Sequence, residues 1–309
     1  LKKNLVIGDV HGHYHNLRKM LLSFGAINED NERINKDTLG VYCTGDLVDG
    51  GTNRWGDMMI LEHAAEWFDE IVIGNHELPF FGGTSFMGLR KHDREFQRAL
   101  LNLEAAGKYV PSTVVGDFLL VHAGLADRWG FDTPEDANDV IRMFWNQSTE
   151  QSKEVPILDW VGPARTKHAD PTGGVFWLDW TEKRNTKFNQ VVGHSTYLEG
   201  PIAVAYDGKV EHWNIDVGGK YGNALGGIMI EEGQPTLPVF WGERRSFTYH
   251  SPTGWSMQDD MSPEDEAEWA ALDAAADAEE QGVDWDDVVD LDDPENYSLW
   301  MELMESNGI

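Results

Sequence analysis

Five short apolar runs in this chain each end in a tight polar turn. Asn4 to Ile7 runs into Gly8-Asp9-Val10-His11-Gly12, and Leu39 to Cys43 into Gly45-Asp46-Leu47-Val48-Asp49. Ile71 to Ile73 runs into Gly74-Asn75-His76-Glu77, Phe118 to Val121 into His122-Ala123-Gly124, and Gln190 to Val192 into Gly193-His194-Ser195. Such runs, bounded by glycine and polar residues, read as buried strands. Leu17, Met20, Leu21 and Phe24 line one helix face, and a second helical stretch covers about Trp55 to Phe68. Val114-Val115 and Phe118 onward flank Gly116-Asp117 as a hairpin. Ile202 to Ala205, Glu211 to Ile215, Gly227 to Ile230 and Leu237 to Phe240 add late strands. Strands alternating first with helices and then with turns predict an α/β fold, two mixed β-sheets packed as a sandwich with flanking helices.

The carboxyl ends of strands in an open α/β sheet face a common crevice, where ligands bind. Here those ends bring two Asp, one Asn and up to four His together. Carboxylate and imidazole donors without thiolates suit manganese, iron or zinc rather than calcium or a structural zinc. A carboxylate such as Asp46 can bridge two ions about 3.5–4 Å apart, the spacing of two-metal phosphoester hydrolases. His13 and His15 read as exposed helix-start residues, and His63, His92, His168, His212 and His250 as surface or packing residues. Cys43 precedes Thr44-Gly45-Asp46 without the phosphate-cradling loop of a cysteine phosphatase, and reads as a core strand residue.

Composition narrows the partners. The chain has 309 residues, with 24 Lys and Arg against 54 Asp and Glu, a formal charge of −30. That balance argues against long nucleic acid and against an anionic membrane surface. A single cysteine demands no oxidising compartment, and no run of about 18 apolar residues is present, so the expectation is a cytoplasmic protein. No Lys or Arg follows Arg245, while 19 acidic residues lie between Asp259 and Glu305. Residues 1–258 are therefore expected to form the working domain, and 259–309 an acidic tail punctuated by Trp269, Trp285 and Trp300. A Ser262-Pro263 start followed by acids predicts a helix to about Ala278. The tail reads as a solvated appendage, with a protein partner as the alternative.

The ordered set of turns resembles the metallophosphoesterase superfamily, most closely its phosphoprotein phosphatase branch with small bacterial and bacteriophage members. The resemblance covers about residues 4–245; its GDxHG pattern is matched by Gly8 to Gly12 and its GNHE pattern by Gly74 to Glu77. It implies two divalent transition-metal ions, manganese first, with iron or zinc as alternatives. By the same resemblance Asp9 and His11 ligate the first ion, Asp46 bridges, and Asn75, His122 and His194 ligate the second. His76 would be the general acid and Asp49 the carboxylate that orients it. The implied chemistry is direct attack of a metal-bound hydroxide on a phosphate ester, with no covalent phosphoenzyme. Asn214 to Gly219 resembles a structural turn of the family.

The pattern also breaks. The family's GDxVDRG motif places an Arg after the second turn, where this chain has Gly50-Gly51. Arg54 and Arg165 are the candidate replacements for a phosphate clamp, with Arg142 and Arg184 behind them. The segment from about Asp127 to Asn189, rich in Trp and Pro, is expected to cap the crevice and set specificity. A phosphorylated substrate is implied, protein or nucleotide. The first reading is a phosphomonoesterase like the protein serine/threonine phosphatases. The second is a nucleotide-directed hydrolase acting on a diadenosine polyphosphate, a cyclic nucleotide or an RNA end, because a diester gives an Arg clamp less charge to grip. The third is an inactive scaffold for the acidic tail, against which the intact ligand set speaks.

Overall fold

A computed structural model describes residues 2–242, apart from 50–53, 82–93, 152–154, 166–169, 199, 207–209 and 222–223. All of them lie within one compact unit, Leu1–Phe247. The acidic tail, the 258/259 boundary, and His92, His168 and His250 lie outside the described residues.

The predicted α/β fold is present. A six-stranded sheet has the order β11-β10-β1-β2-β3-β4. Its members are β1 (Lys3–Ile7), β2 (Leu39–Cys43), β3 (Glu70–Val72), β4 (Tyr109–Val110), β10 (Ala224–Glu231) and β11 (Leu237–Gly242). The four early strands run parallel, and β10 and β11 are antiparallel additions. A five-stranded sheet has the order β5-β6-β7-β9-β8. It contains β5 (Thr113–Val115), β6 (Phe118–Leu120), β7 (Asn189–Val192), β8 (Ile202–Tyr206) and β9 (Val210–Asn214). In it β6, β7 and β9 run parallel between antiparallel edges. Two-residue β4 carries too little pattern to stand out in the sequence.

Alternation along β1 shows how the layers stack. Val6 belongs to an apolar cluster with Val72, Val115, Leu120, Val191, Ile215 and Ile228, which come from both sheets. Its neighbours Leu5 and Ile7 point the other way, into a second cluster with Leu17, Met20 and Leu21. Those three line the buried face of α1 (Tyr14–Ser23). At period 2, one face of the strand meets the opposing sheet and the other meets helices. Each fully buried side chain of this size stabilises the fold by roughly 1.5–3 kcal/mol. Helix α2 (Arg54–Trp67) packs beside α1 and α3 (Arg94–Ala105).

Helix α4 (Pro134–Gln151) begins where Thr133 Oγ1 accepts the N–H of Asp136 at 3.1 Å, with Pro134 first and Glu135 and Asp136 in the opening turn. These are favoured helix-start residues. Ala137, Ile141 and Trp145, spaced four apart, bury against the core, as do Ile157 and Leu158 of the one-turn helix α5 (Pro156–Asp159). These five residues of the segment 127–189 therefore belong to the interior. Among the described residues, no helix is long and apolar enough to cross a membrane.

Candidate metal centre

The carboxyl ends of β1, β2 and β3 in one sheet and of β6 and β7 in the other deliver Asp9, His11, Asp46, Asn75, His76, His122 and His194 to one locus, where all are buried except the half-buried His194. Asp46 is its hub. Its Oδ2 lies 3.5 Å from His122 Nε2, 3.7 Å from His11 Nε2 and 4.0 Å from His76 Nε2. Asp46 Oδ1 accepts the backbone N–H of His76 at 2.9 Å. The oxygen of Asn75 sits 2.8 Å from both His122 Nε2 and His194 Nδ1. Asp9 Oδ2 accepts the N–H of His194 at 2.9 Å.

Backbone geometry holds these groups in place. His11, Asp46, Asp49 and His194 have φ of 51°, 48°, 64° and 68°, the left-handed region that non-glycine residues rarely occupy. A Cβ at Gly193 would overlap the Asp9 carboxylate, and one at Gly74 would overlap Asp46, so glycine is required for this approach. Glu77 Oε2 accepts the N–H groups of Asp46 and Gly74, and its Oε1 that of Val48, at 2.9–3.1 Å.

The donor set fits divalent cations. His11, Asp46 and His76 form one group of potential metal ligands, and Asp9, Asp46 and His122 another. Asp9 Oδ1 and His194 Nε2 are buried without a hydrogen-bond partner. Buried polar atoms are almost always satisfied, so such atoms call for an ion or water. Metal–ligand bonds of about 2.1 Å place ligand atoms roughly 3–4 Å apart, the spacing seen around Asp46 Oδ2. Burial pulls His11 down to about 4 and lowers His122 and His194 as well, which favours the neutral, ligating imidazole. Burial first, then the charges of Asp216 and Asp46, push the Asp9 carboxyl well above its ordinary value. Burial opposes ionisation of Asp46 too, but the surrounding imidazoles, His122 foremost, hold it below the usual carboxylate range. Such crowding of buried carboxylates is what a cation pair offsets.

On one side His76 Nδ1 contacts Asp49 Oδ2 at 2.9 Å. Burial would lower the His76 imidazole, but Asp46 and Asp49 outweigh it and raise it. Asp49 N–H in turn donates to Asp57 Oδ1 in the first turn of α2 at 2.9 Å. On the other side Arg165 donates from Nη2 to Ser195 Oγ at 2.9 Å and pairs with Asp179 Oδ2 at 3.0 Å, next to His194. Arg142 pairs with Glu70, and Arg184 is spent on the carbonyls of Asp179 and Trp180, so neither joins the ligand set. Arg54 opens α2, with its side chain outside the described residues. Cys43 is buried in β2, its thiol pushed up by burial.

Two further groups stand beside the ligands: Asp216, in the turn from Asn214 to Gly219 expected to be only structural, and Asp57, which no motif marked. Asp216 follows β9 and bonds Thr196 Oγ1 and the N–H of Gly218, close enough to Asp9 and Asp46 to feel their charge. Burial pushes its carboxyl up to about 6. The strand-then-polar-turn pattern that flagged five sites recurs at Asn214-Ile215-Asp216, and would have found it. Asp57, in an ordinary helical pattern, gave no signal.

Two sheets whose strand ends converge on a carboxylate–imidazole cluster define a metallophosphoesterase-type domain. The chain belongs to the calcineurin-like phosphoesterase family, whose sequence model matches residues 3–200. It is similar to a symmetrical bis(5'-nucleosyl)-tetraphosphatase of Proteus mirabilis (strain HI4320), 29% identical over 137 residues, 41% of this chain and 46% of that protein. The chain thus spans under half the length of that curated relative. Among solved structures, a cold-active protein-tyrosine phosphatase of a psychrophilic Shewanella species shares 18% identity at a TM-score of 0.51, covering 75% of this chain and 76% of its own. A further structure of a cold-active protein tyrosine phosphatase gives 17% identity and 0.52, covering 75% and 74%. Both share the fold.

Proposed function

We propose that this chain hydrolyses phosphate esters at a centre of two divalent transition-metal ions, manganese in the native protein, and that its substrates are monoesters of the protein serine/threonine phosphatase kind. Asp9, His11 and Asp46 would hold one ion, and Asp46, Asn75, His122 and His194 the other. When bound, the ions acidify water and neutralise phosphoryl oxygens. The observation that carries the reading is the His76–Asp49 contact at 2.9 Å beside the ligand cluster. Asp49 holds the Nδ1 proton, which leaves Nε2 of a charged imidazole to protonate the departing oxygen. Arg165 supports phosphate binding from the His194 side, held in aim by Ser195 and Asp179.

A second reading, a nucleotide-directed phosphohydrolase, is favoured by similarity to the Proteus tetraphosphatase and by glycines where the family carries its Arg. One experiment separates the two. The full chain is stripped with a chelator, reloaded with manganese, and assayed on p-nitrophenyl phosphate, a phosphoserine peptide, bis(p-nitrophenyl) phosphate and diadenosine tetraphosphate. Higher kcat/KM on the monoesters is expected. Preference for diadenosine tetraphosphate moves the assignment to the second reading, and no turnover with manganese, iron or zinc discards both.

A further inference from the structure

Trp55, second residue of α2, is 37% exposed, while Trp67 at the end of the same helix is fully buried. A chain of ring contacts joins them. Tyr14 stacks on Trp67 at 5.9 Å and 20°, and the Tyr14 and Trp55 rings make a T-shaped contact at 5.5 Å and 81°. His15 lies nearly parallel to Trp55 at 5.4 Å and 30°. His63 stacks on Trp67 at 4.7 Å and 9°. The indole is therefore packed against rings that reach the core, and part of its surface is left in water.

This platform stands on the proton-donor side of the candidate centre. Tyr14 and His15 follow the His11 turn directly, and the His11 ring meets His76 at 4.8 Å. Asp57, two positions after Trp55, accepts from Asp49, which holds His76. Arg165 instead contacts Ser195, next to His194. A phosphoester with its leaving oxygen at His76 would extend its leaving group toward α2.

We propose that Trp55 is a stacking platform for the nucleobase of a leaving nucleotide; this rests on the second, nucleotide-directed reading of the site and not on the monoester reading put first. A base is flat and uncharged, so stacking on it is not opposed by the chain's formal charge of −30. Two hydrogen-bonded residues, Asp49 and Asp57, separate His76 from the turn that carries Trp55. An indole already held in place loses little freedom on binding.

The manganese-loaded full chain is titrated calorimetrically with α,β-methylene adenosine diphosphate and with methylenediphosphonate, which lacks the nucleoside. The parent should prefer the first by roughly 5- to 100-fold, the range of one base–aromatic stack. Trp55→Phe should keep most of that preference and Trp55→Ala should lose it. Persistence of the preference in Trp55→Ala, or its absence in the parent, overturns the proposal. If diadenosine tetraphosphate is hydrolysed while the preference survives in Trp55→Ala, stacking falls and the nucleotide reading stands. Turnover of p-nitrophenyl phosphate or the phosphoserine peptide without any nucleotide turnover removes both.

Discussion

The backbone N–H of Asp46 donates to Oε2 of Glu77 at 3.0 Å across 31 positions of sequence. The same oxygen accepts from Gly74, and Oε1 accepts from Val48, so one buried side chain ties the turn after β2 to the turn after β3. Burial first, with the Asp46 charge added, pushes the Glu77 carboxyl up to about 8, against three N–H donors that favour its charged form.

Glu77→Gln keeps the shape but turns one acceptor into a donor, leaving an N–H facing an N–H. An unsatisfied buried group of this kind costs roughly 1–3 kcal/mol. A lower Tm and weaker manganese retention are expected, measured by calorimetry and elemental analysis. A parental Tm would remove Glu77 from the frame.

Asp46→Asn removes the charge that three imidazoles surround at 3.5–4.0 Å. Even partners that only orient metal ligands are typically worth about 10–100-fold in affinity or activity. The loss here should exceed that range, with both ions depleted, and should exceed the loss from His122→Ala. Two retained ions and normal turnover would defeat the bridging role.

His76→Asn should leave the metal content close to parental while slowing turnover of esters with poor leaving groups by roughly 10²–10⁴-fold. Aryl esters need less protonation and should suffer less. A leaving-group plot of kcat separates the outcomes: a parallel shift of all substrates contradicts the proton-donor role.

Strand ends were legible because each joins an apolar run to a glycine or histidine turn within a few residues, as at Ile7-Gly8-Asp9 and Val192-Gly193-His194. Boundaries moved only slightly: β3 starts at Glu70 and leaves Ile73 outside, and β9 stops at Asn214. Which ends share one locus was not legible from periodicity, since β6 and β7 belong to a different sheet from β1, β2 and β3. The frame around the ligands was hidden as well. Glu77 acts through backbone N–H groups, which every residue type carries, and left-handed φ at His11 or Asp49 leaves no mark in hydrophobic pattern.

Arg165→Ala should raise KM for monoesters about 10-fold or more, the scale of one charge-assisted hydrogen bond. Its effect on kcat should be smaller. Unchanged KM would leave Arg165 as a partner of Asp179 and Ser195 alone.

His212 in β9 is buried and bonded to the Phe188 carbonyl at 3.3 Å. Burial, then the charge of Arg184, lowers its imidazole from 6.5 to about 4. Between those values the unfolded chain binds the proton and the folded chain does not, so stability falls as pH drops from about 6.5 to 4. The full effect is about 3 kcal/mol. His212→Gln should flatten the acid limb of urea-unfolding stability by about one proton relative to the parent, and identical limbs would refute this.

The four left-handed residues also constrain what mutation or grafting can do with this centre. Each such position stores roughly 1–3 kcal/mol of strain unless glycine occupies it. Glycine, the replacement that relaxes His11, Asp46, Asp49 or His194, is also the one that deletes its functional group, whereas a β-branched residue would keep the bulk and deepen the strain. No single-step path therefore eases the backbone and keeps the side chain. A designer moving this constellation to another sheet must transplant whole turns, from strand end to next helix start, because copying side chains onto relaxed loops would aim them elsewhere.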